Sequence, residues 1–130
     1  MDFVSRLTAE LDRRRTANAR YSLRRFAQAL GTSHSLLSRL CRRRRRPLPS
    51  TVAVLGPRLG LTASEVAAAI RESQVDRLCE VAAGPRFSPE ARWLAARANL
   101  SLDEVQVALQ EALRCGRLSM TAPRRWSVED

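Results

Sequence analysis

His34, Ser35, Ser38 and Arg39 sit at spacings that place them together on the outward face of a short helix, if Leu36, Leu37 and Leu40 turn inward. They offer short hydrogen-bonding groups and one long cation. Such a set can enter the major groove of a DNA duplex and meet base edges, where bulky apolar groups would find no match. Arg39 suits the two acceptors of a guanine. Ser33 carries its hydroxyl at the start of the same helix, where a phosphate is also favoured. Arg42, Arg43, Arg44, Arg45 and Arg46 follow directly, and Arg24 and Arg25 open the preceding helix. Five successive cations repel one another unless an anion or solvent screens them. Beside this helix, contact with phosphates is the most economical role for all seven, with a solvated loop or a generic nucleic-acid tail as the plainer one.

The placement of charge agrees. All 23 basic residues are arginine, and the net charge is +10. Residues 1–46 hold 13 arginines against Asp2, Glu10 and Asp12, whereas residues 47–130 hold ten arginines and ten acids. The whole excess therefore lies in the first third, as a polyanion-binding face requires. Arginine favours bidentate contacts to phosphate and guanine, although genome base composition can produce the same preference.

Other chemistry has little to stand on. Cys41, Cys79 and Cys115 are too scattered for a disulfide framework or a zinc site, and read best as reduced, partly buried thiols. His34 is the one histidine, which leaves no nucleophile with a paired base, and there is no glycine-rich phosphate loop. Neither enzymatic activity nor a metal, cofactor or small-molecule ligand is expected. With 130 residues, 45% hydrophobic, the chain can build one small domain or two minimal modules sharing a core. No apolar run approaches the roughly 20 residues needed to cross a bilayer, and Met1-Asp2-Phe3-Val4 does not begin a signal peptide. A cytoplasmic protein without membrane contact is expected.

Glycine, proline and capping residues divide the chain into helices. Asp2 caps a first helix with Phe3, Leu7 and Leu11 on one face, ending near Asn18. Ser22 caps a second, whose stripe is Leu23, Phe26, Ala27 and Leu30, and Gly31 ends it. Ser33 caps a third. Pro47-Leu48-Pro49 breaks the chain, and a fourth helix starts at Ser50 with Val52, Leu55 and Leu59 inward and Pro57 expected to kink or end it. Thr62 and Glu65 form a capping box for a fifth helix running to about Ala82. Gly84-Pro85 marks the module boundary, and Ser88-Pro89-Glu90 restarts a helix. Ser101 and Glu104 cap the last, with Val105, Leu109, Ala112 and Leu113 inward as far as Gly116. Leu118, Met120, Trp126 and Val128, around a turn at Ala122-Pro123, suit a two-stranded wing.

Tyr21-Ser22-Leu23-Arg24-Arg25-Phe26-Ala27, Leu30-Gly31, Ser33, Leu36-Leu37-Ser38-Arg39 and the Arg-Leu-Gly-Leu-Thr run at 58–62 resemble the phage-repressor-like (Cro/cI, or XRE-type) helix-turn-helix regulators over about residues 18–70. The resemblance implies a lambda-repressor-like five-helix DNA-binding domain whose second and third helices form the motif. It also places base contacts on His34, Ser35, Ser38 and Arg39. Two positions depart from it. Pro57 stands where an ordinary helical residue is usual, and the turn after the third helix is pure arginine in place of a Gly-Lys-Arg type.

The motif returns 68 residues later. Ala27, Gly31, Ser33, Leu37 and Leu40 correspond to Ala95, Asn99, Ser101, Val105 and Ala108, with asparagine the best substitute for glycine at a positive φ. The outward positions now read Leu102, Asp103, Gln106 and Val107. That surface suits protein better than phosphate, and makes Leu102 and Val107 interface candidates, with a second copy of the chain as the favoured partner and packing against the wing or the long fifth helix as the plainer reading. The expectation is thus an all-α protein: residues 1–83 a helix-turn-helix domain, residues 84–130 a smaller helix-turn-helix module, winged if its tail forms a ribbon. Its expected function is transcriptional regulation by sequence-specific binding of double-stranded DNA. The competing readings are a non-specific nucleoid or RNA-binding protein and an antitoxin-like protein-interaction module.

Overall fold

Asp2 begins the first helix by accepting the Ser5 N–H on Oδ1 at 2.7 Å, satisfying one of the amides a helix start leaves open. The computed structural model describes residues 2–84, 90–122 and 125–128. It is helical, with one antiparallel two-stranded ribbon, and separates into two compact units, residues 1–70 and 71–130.

In the first unit α1 (Phe3–Ala17), α2 (Leu23–Leu30), α3 (His34–Cys41), α4 (Pro49–Arg58) and the start of α5 (Ala63–Ala82) surround one core. Phe26, Leu7, Leu30, Leu37, Leu40 and Val52 are its fully buried centre. Ser22 and Ser33 cap α2 and α3 by accepting the N–H groups of Arg25 and Leu36. Gly31 ends α2 at φ 68°, a conformation that costs an L side chain about 1–2 kcal/mol. α4 begins one residue before Ser50: Leu48 is the cap without a side-chain bond, and Pro49 takes the first helical position, where its missing N–H is harmless. Pro57 falls in its last turn, and the helix stops at Arg58. Leu36 and Leu59 are half-buried at the core's margin. Thr62 and Glu65 exchange both bonds of the capping box at 3.0 and 3.2 Å, and Glu65 also pairs with Arg6.

The second unit uses the rest of α5, α6 (Ala91–Ala98), α7 (Leu102–Arg114), β1 (Leu118–Ala122) and β2 (Arg125–Val128). Val75, Leu78, Cys79 and Ala82 from α5 pack with Leu94, Val105, Ala108, Ala112 and Leu118. The division therefore falls within α5, ahead of the boundary expected at Gly84-Pro85. The helix has no breaker there, yet its side chains change from one core to another after Ile70. Ala108 occupies the α7 core position, while Leu113 is exposed. In the ribbon Leu118 pairs with Val128 and Met120 with Trp126. A two-stranded ribbon is marginal alone; here Leu118 is buried in the core and Val128 packs against it. Ser88 and Pro89 of the expected helix start, and Pro123 of the expected turn, lie outside the described residues.

The two helix pairs share one backbone plan. Thr32 N–H bonds Ala27 O and Leu100 N–H bonds Ala95 O, both at 3.0 Å. Asn99, at φ 57° and ψ 47°, takes the left-handed conformation that Gly31 takes.

Candidate nucleic-acid interface

The orientation of α3 is set by Leu37 and Leu40, both wholly buried. His34, Ser35 and Arg39 consequently stand exposed, with Ser38 half-buried beside them. Ser33 is exposed, and although its oxygen caps the helix, its hydroxyl proton can still be donated outward.

The turn after α3 brings the arginines together. Arg43 N–H bonds Leu40 O at 3.1 Å and Arg44 N–H bonds Arg39 O at 2.9 Å, the paired bonds of a Schellman stop. Such a stop needs a left-handed residue, and the position that glycine usually fills is held here by Arg43, at φ 55°. Its guanidinium turns back to α1 and donates to Asp2 Oδ2 at 3.1 Å and to Ser5 Oγ at 3.0 Å. The hydrogen bond from Arg43 holds the Asp2 carboxyl well below the ordinary carboxylate range, at about 2. Arg43, expected on phosphate, thus serves the fold, because its backbone conformation directs its side chain to α1.

With Arg43 turned away, Ser38, Arg39, Arg42, Arg44 and Arg45 line one cleft of about 380 Å³. None of its lining residues is acidic, and among the described residues no carboxylate pairs with these four arginines. Four guanidinium groups and a hydroxyl can hold phosphate oxygens through charge-assisted, bidentate bonds. Ser33, His34, Ser35, Arg24, Arg25 and Arg46 do not belong to its lining.

Arg24 and Arg25 are exposed in the first turn of α2, and the Arg25 guanidinium lies over the Tyr21 ring, 5.5 Å from its centre. Tyr21 is itself held: Arg14 Nη1 donates to its hydroxyl at 2.9 Å, and Phe26 meets it edge to face at 6.3 Å. Glu10 accepts from both Arg13 and Arg14, and chiefly through the Arg13 bond its carboxyl is lowered to about 2. Arg13, Arg14 and Arg43 of the first third are therefore paired with carboxylates, whereas Arg39, Arg42, Arg44 and Arg45 stand together at α3 and its following turn.

Three structural roles escaped the sequence reading. Arg43 and Asp2 are 41 residues apart, with no periodicity to connect them. Arg14 and Tyr21 lie seven residues apart on either side of the end of α1, so no helical period connects them. Arg58 donates from Nη1 to Leu30 O at 2.5 Å, closing the end of α2.

In the second unit Leu102 and Val107 are 50% and 48% exposed on α7, with Asp103 and Gln106 exposed between them. Ser101 and Glu104 complete a capping box, and those bonds hold the Glu104 carboxyl below its ordinary range. Cys41 is half-buried, Cys79 buried and Cys115 exposed, and burial raises the Cys41 thiol. Among the described residues no three His, Cys, Asp or Glu side chains gather as a metal site, and no helix is long and apolar enough to cross a membrane. Comparison with models of protein families, with curated proteins and with solved structures gives no match.

Proposed function

We propose that this chain is a transcriptional regulator whose first unit binds double-stranded DNA in a sequence-specific way, without catalysis. The observation that carries the reading is the continuity of the exposed polar face of α3 with a carboxylate-free arginine cleft at its end. A groove-reading helix needs short polar groups toward the bases and fixed cations toward the backbone. His34, Ser35 and Ser38 supply the first. Arg42, Arg44 and Arg45 supply the second, with Arg24, Arg25 and Arg46 as further cations of the same unit. Arg39 stands between the two groups and reads a base edge.

The order of five helices, with a glycine-stopped α2 before α3, supports a lambda-repressor-like domain. The ribbon after α7 supports a winged reading of the second helix pair, whose outward face of Leu102, Asp103, Gln106 and Val107 fits a protein partner, here a second copy of the chain. Action on the chromosome in the cytoplasm follows from this reading. The patterned serines favour it over a non-specific nucleoid or RNA-binding role, and the charge asymmetry favours it over an antitoxin-like module.

Selection of bound fragments from random duplex DNA tests it. A shared motif should be enriched, and affinity for it should fall with salt at a log–log slope of about −4 to −5 if ~5 phosphates are neutralised. Recovery without any common motif, or equal affinity for single-stranded RNA, would overturn specific duplex binding.

A further inference from the structure

We infer that the cleft lined by Ser38, Arg39, Arg42, Arg44 and Arg45 is a site for a compact polyphosphate group, at least two adjoining phosphates, whose occupancy excludes nucleic acid from α3. The exclusion rests on the proposed DNA binding; the site itself does not.

Charge density favours a compact anion at this cleft. A phosphodiester strand carries one negative charge per residue, about one per 3.4 Å of duplex axis on each strand. Four guanidinium groups around one cleft of about 380 Å³ outnumber what a passing strand supplies at that spot. A terminal phosphate already carries about −1.5 to −2 near neutral pH, and a second phosphate joined to it raises the density further. Such a group matches the four cations lining the cleft more closely than a single diester does.

Size is compatible with such a group. The volume lies within the usual range for small-molecule pockets, roughly 300–1,000 Å³. The cleft is open on one side, so a compact anion can enter it from solvent. The backbone of the turn is also set before any ligand arrives. Arg44 N–H is bonded to Arg39 O, and Arg43 is pinned to Asp2 and Ser5. The turn is held at both ends while the side chains of Arg42, Arg44 and Arg45 remain available. Preorganisation of this kind lowers the entropy lost on binding.

The test is calorimetric titration of the full chain with inorganic pyrophosphate and with orthophosphate, at matched ionic strength and without divalent cations. Pyrophosphate should saturate one site per chain and bind at least tenfold tighter than orthophosphate. R44A and R45A should each weaken pyrophosphate about tenfold or more, as loss of a charge-assisted bond implies. R20A, exposed in the same unit but outside the cleft, should leave it unchanged. Equal binding of the two anions, no saturation, or equal losses in R20A and R44A would overturn the site.

Adjoining phosphates can come from a free anion or from a strand end, so an oligonucleotide with a 5′-triphosphate forms a further arm. Affinity no better than for pyrophosphate supports the site with a free anion as its source. A preference above tenfold for the capped strand supports the site with a strand end as its source. Pyrophosphate should also displace duplex at ionic strengths where sodium chloride does not. A protein that binds duplex with the expected salt slope yet takes pyrophosphate no better than orthophosphate overturns this inference and leaves the DNA reading standing. One that saturates with pyrophosphate and ignores duplex overturns the DNA reading alone.

Discussion

Arg43 Nη1 donates to Asp2 Oδ2 at 3.1 Å, tying the turn after α3 to the cap of α1. The carboxylate that caps α1 thus also holds a left-handed arginine in place. R43A should lower the melting temperature, since alanine keeps the unfavourable φ and loses the bond. R43G should melt higher than R43A, because glycine takes that φ freely. Asp2, at about 2, is lowered from its unfolded value, so its contribution is present above the ordinary carboxylate range and is lost as pH falls through 2. The difference in melting temperature between wild type and D2N, which keeps a capping side chain, should be constant near neutrality, shrink below about pH 4 and vanish near pH 2. A difference unchanged across that range would refute the link.

Arg39 and Arg44 should fail differently in DNA binding. Arg39 is exposed on α3 and reads a base, so R39A should cost ~1–3 kcal/mol at the preferred site and relax one base position. Arg44 lies on the turn beyond, so R44A should weaken every sequence alike and lower the salt slope by about one. Anisotropy titrations on matched and mismatched duplexes separate the two outcomes.

Gly31 and Arg58 should be coupled. A Cβ at Gly31 would collide with the Arg58 guanidinium at φ 68°, and Arg58 is what bonds Leu30 O. G31A should destabilise by about 1–2 kcal/mol from its φ alone, and by more if Arg58 is displaced. In R58A the added cost of G31A should fall, since the clash is gone. A double-mutant cycle by urea denaturation measures this.

A fragment of residues 71–130 should fold, whereas residues 84–130 should not. The shorter piece lacks Val75, Leu78, Cys79 and Ala82, all buried in the second core. Circular dichroism with urea titration should give a cooperative transition for the longer piece only. Residues 1–83 keep the whole first core and should retain DNA binding.

Val107 should matter to association. It is half-exposed on α7 beside Leu102, Asp103 and Gln106, so V107E would add charge to that face without opening the core. Sedimentation should find a self-associating wild type and a monomeric variant with weakened binding to a paired site. A wild type that stays monomeric at high concentration, with and without DNA, rules out the second copy as partner.

Most of the helical order follows from local signals. Asp2, Ser22, Ser33 and Ser101 each cap the helix that their neighbours' periodicity announces. Gly31 and Asn99 stop helices at the positions that the 68-residue repeat pairs. A cap or stop acts within four or five residues, so composition and spacing suffice to reveal it. The inward stripe of α3 likewise fixes which polar residues face out.

Tertiary structure decided what depends on distance in space. The change of core within α5 has no local mark, because the helix continues unbroken while its partners change. The arginine run reads as five equivalent cations, yet a left-handed turn sends Arg43 to Asp2 and leaves Arg42, Arg44 and Arg45 around a cleft with Arg39. Like residues in a row acquire different roles only when the backbone gives each a direction and the fold supplies, or withholds, a partner.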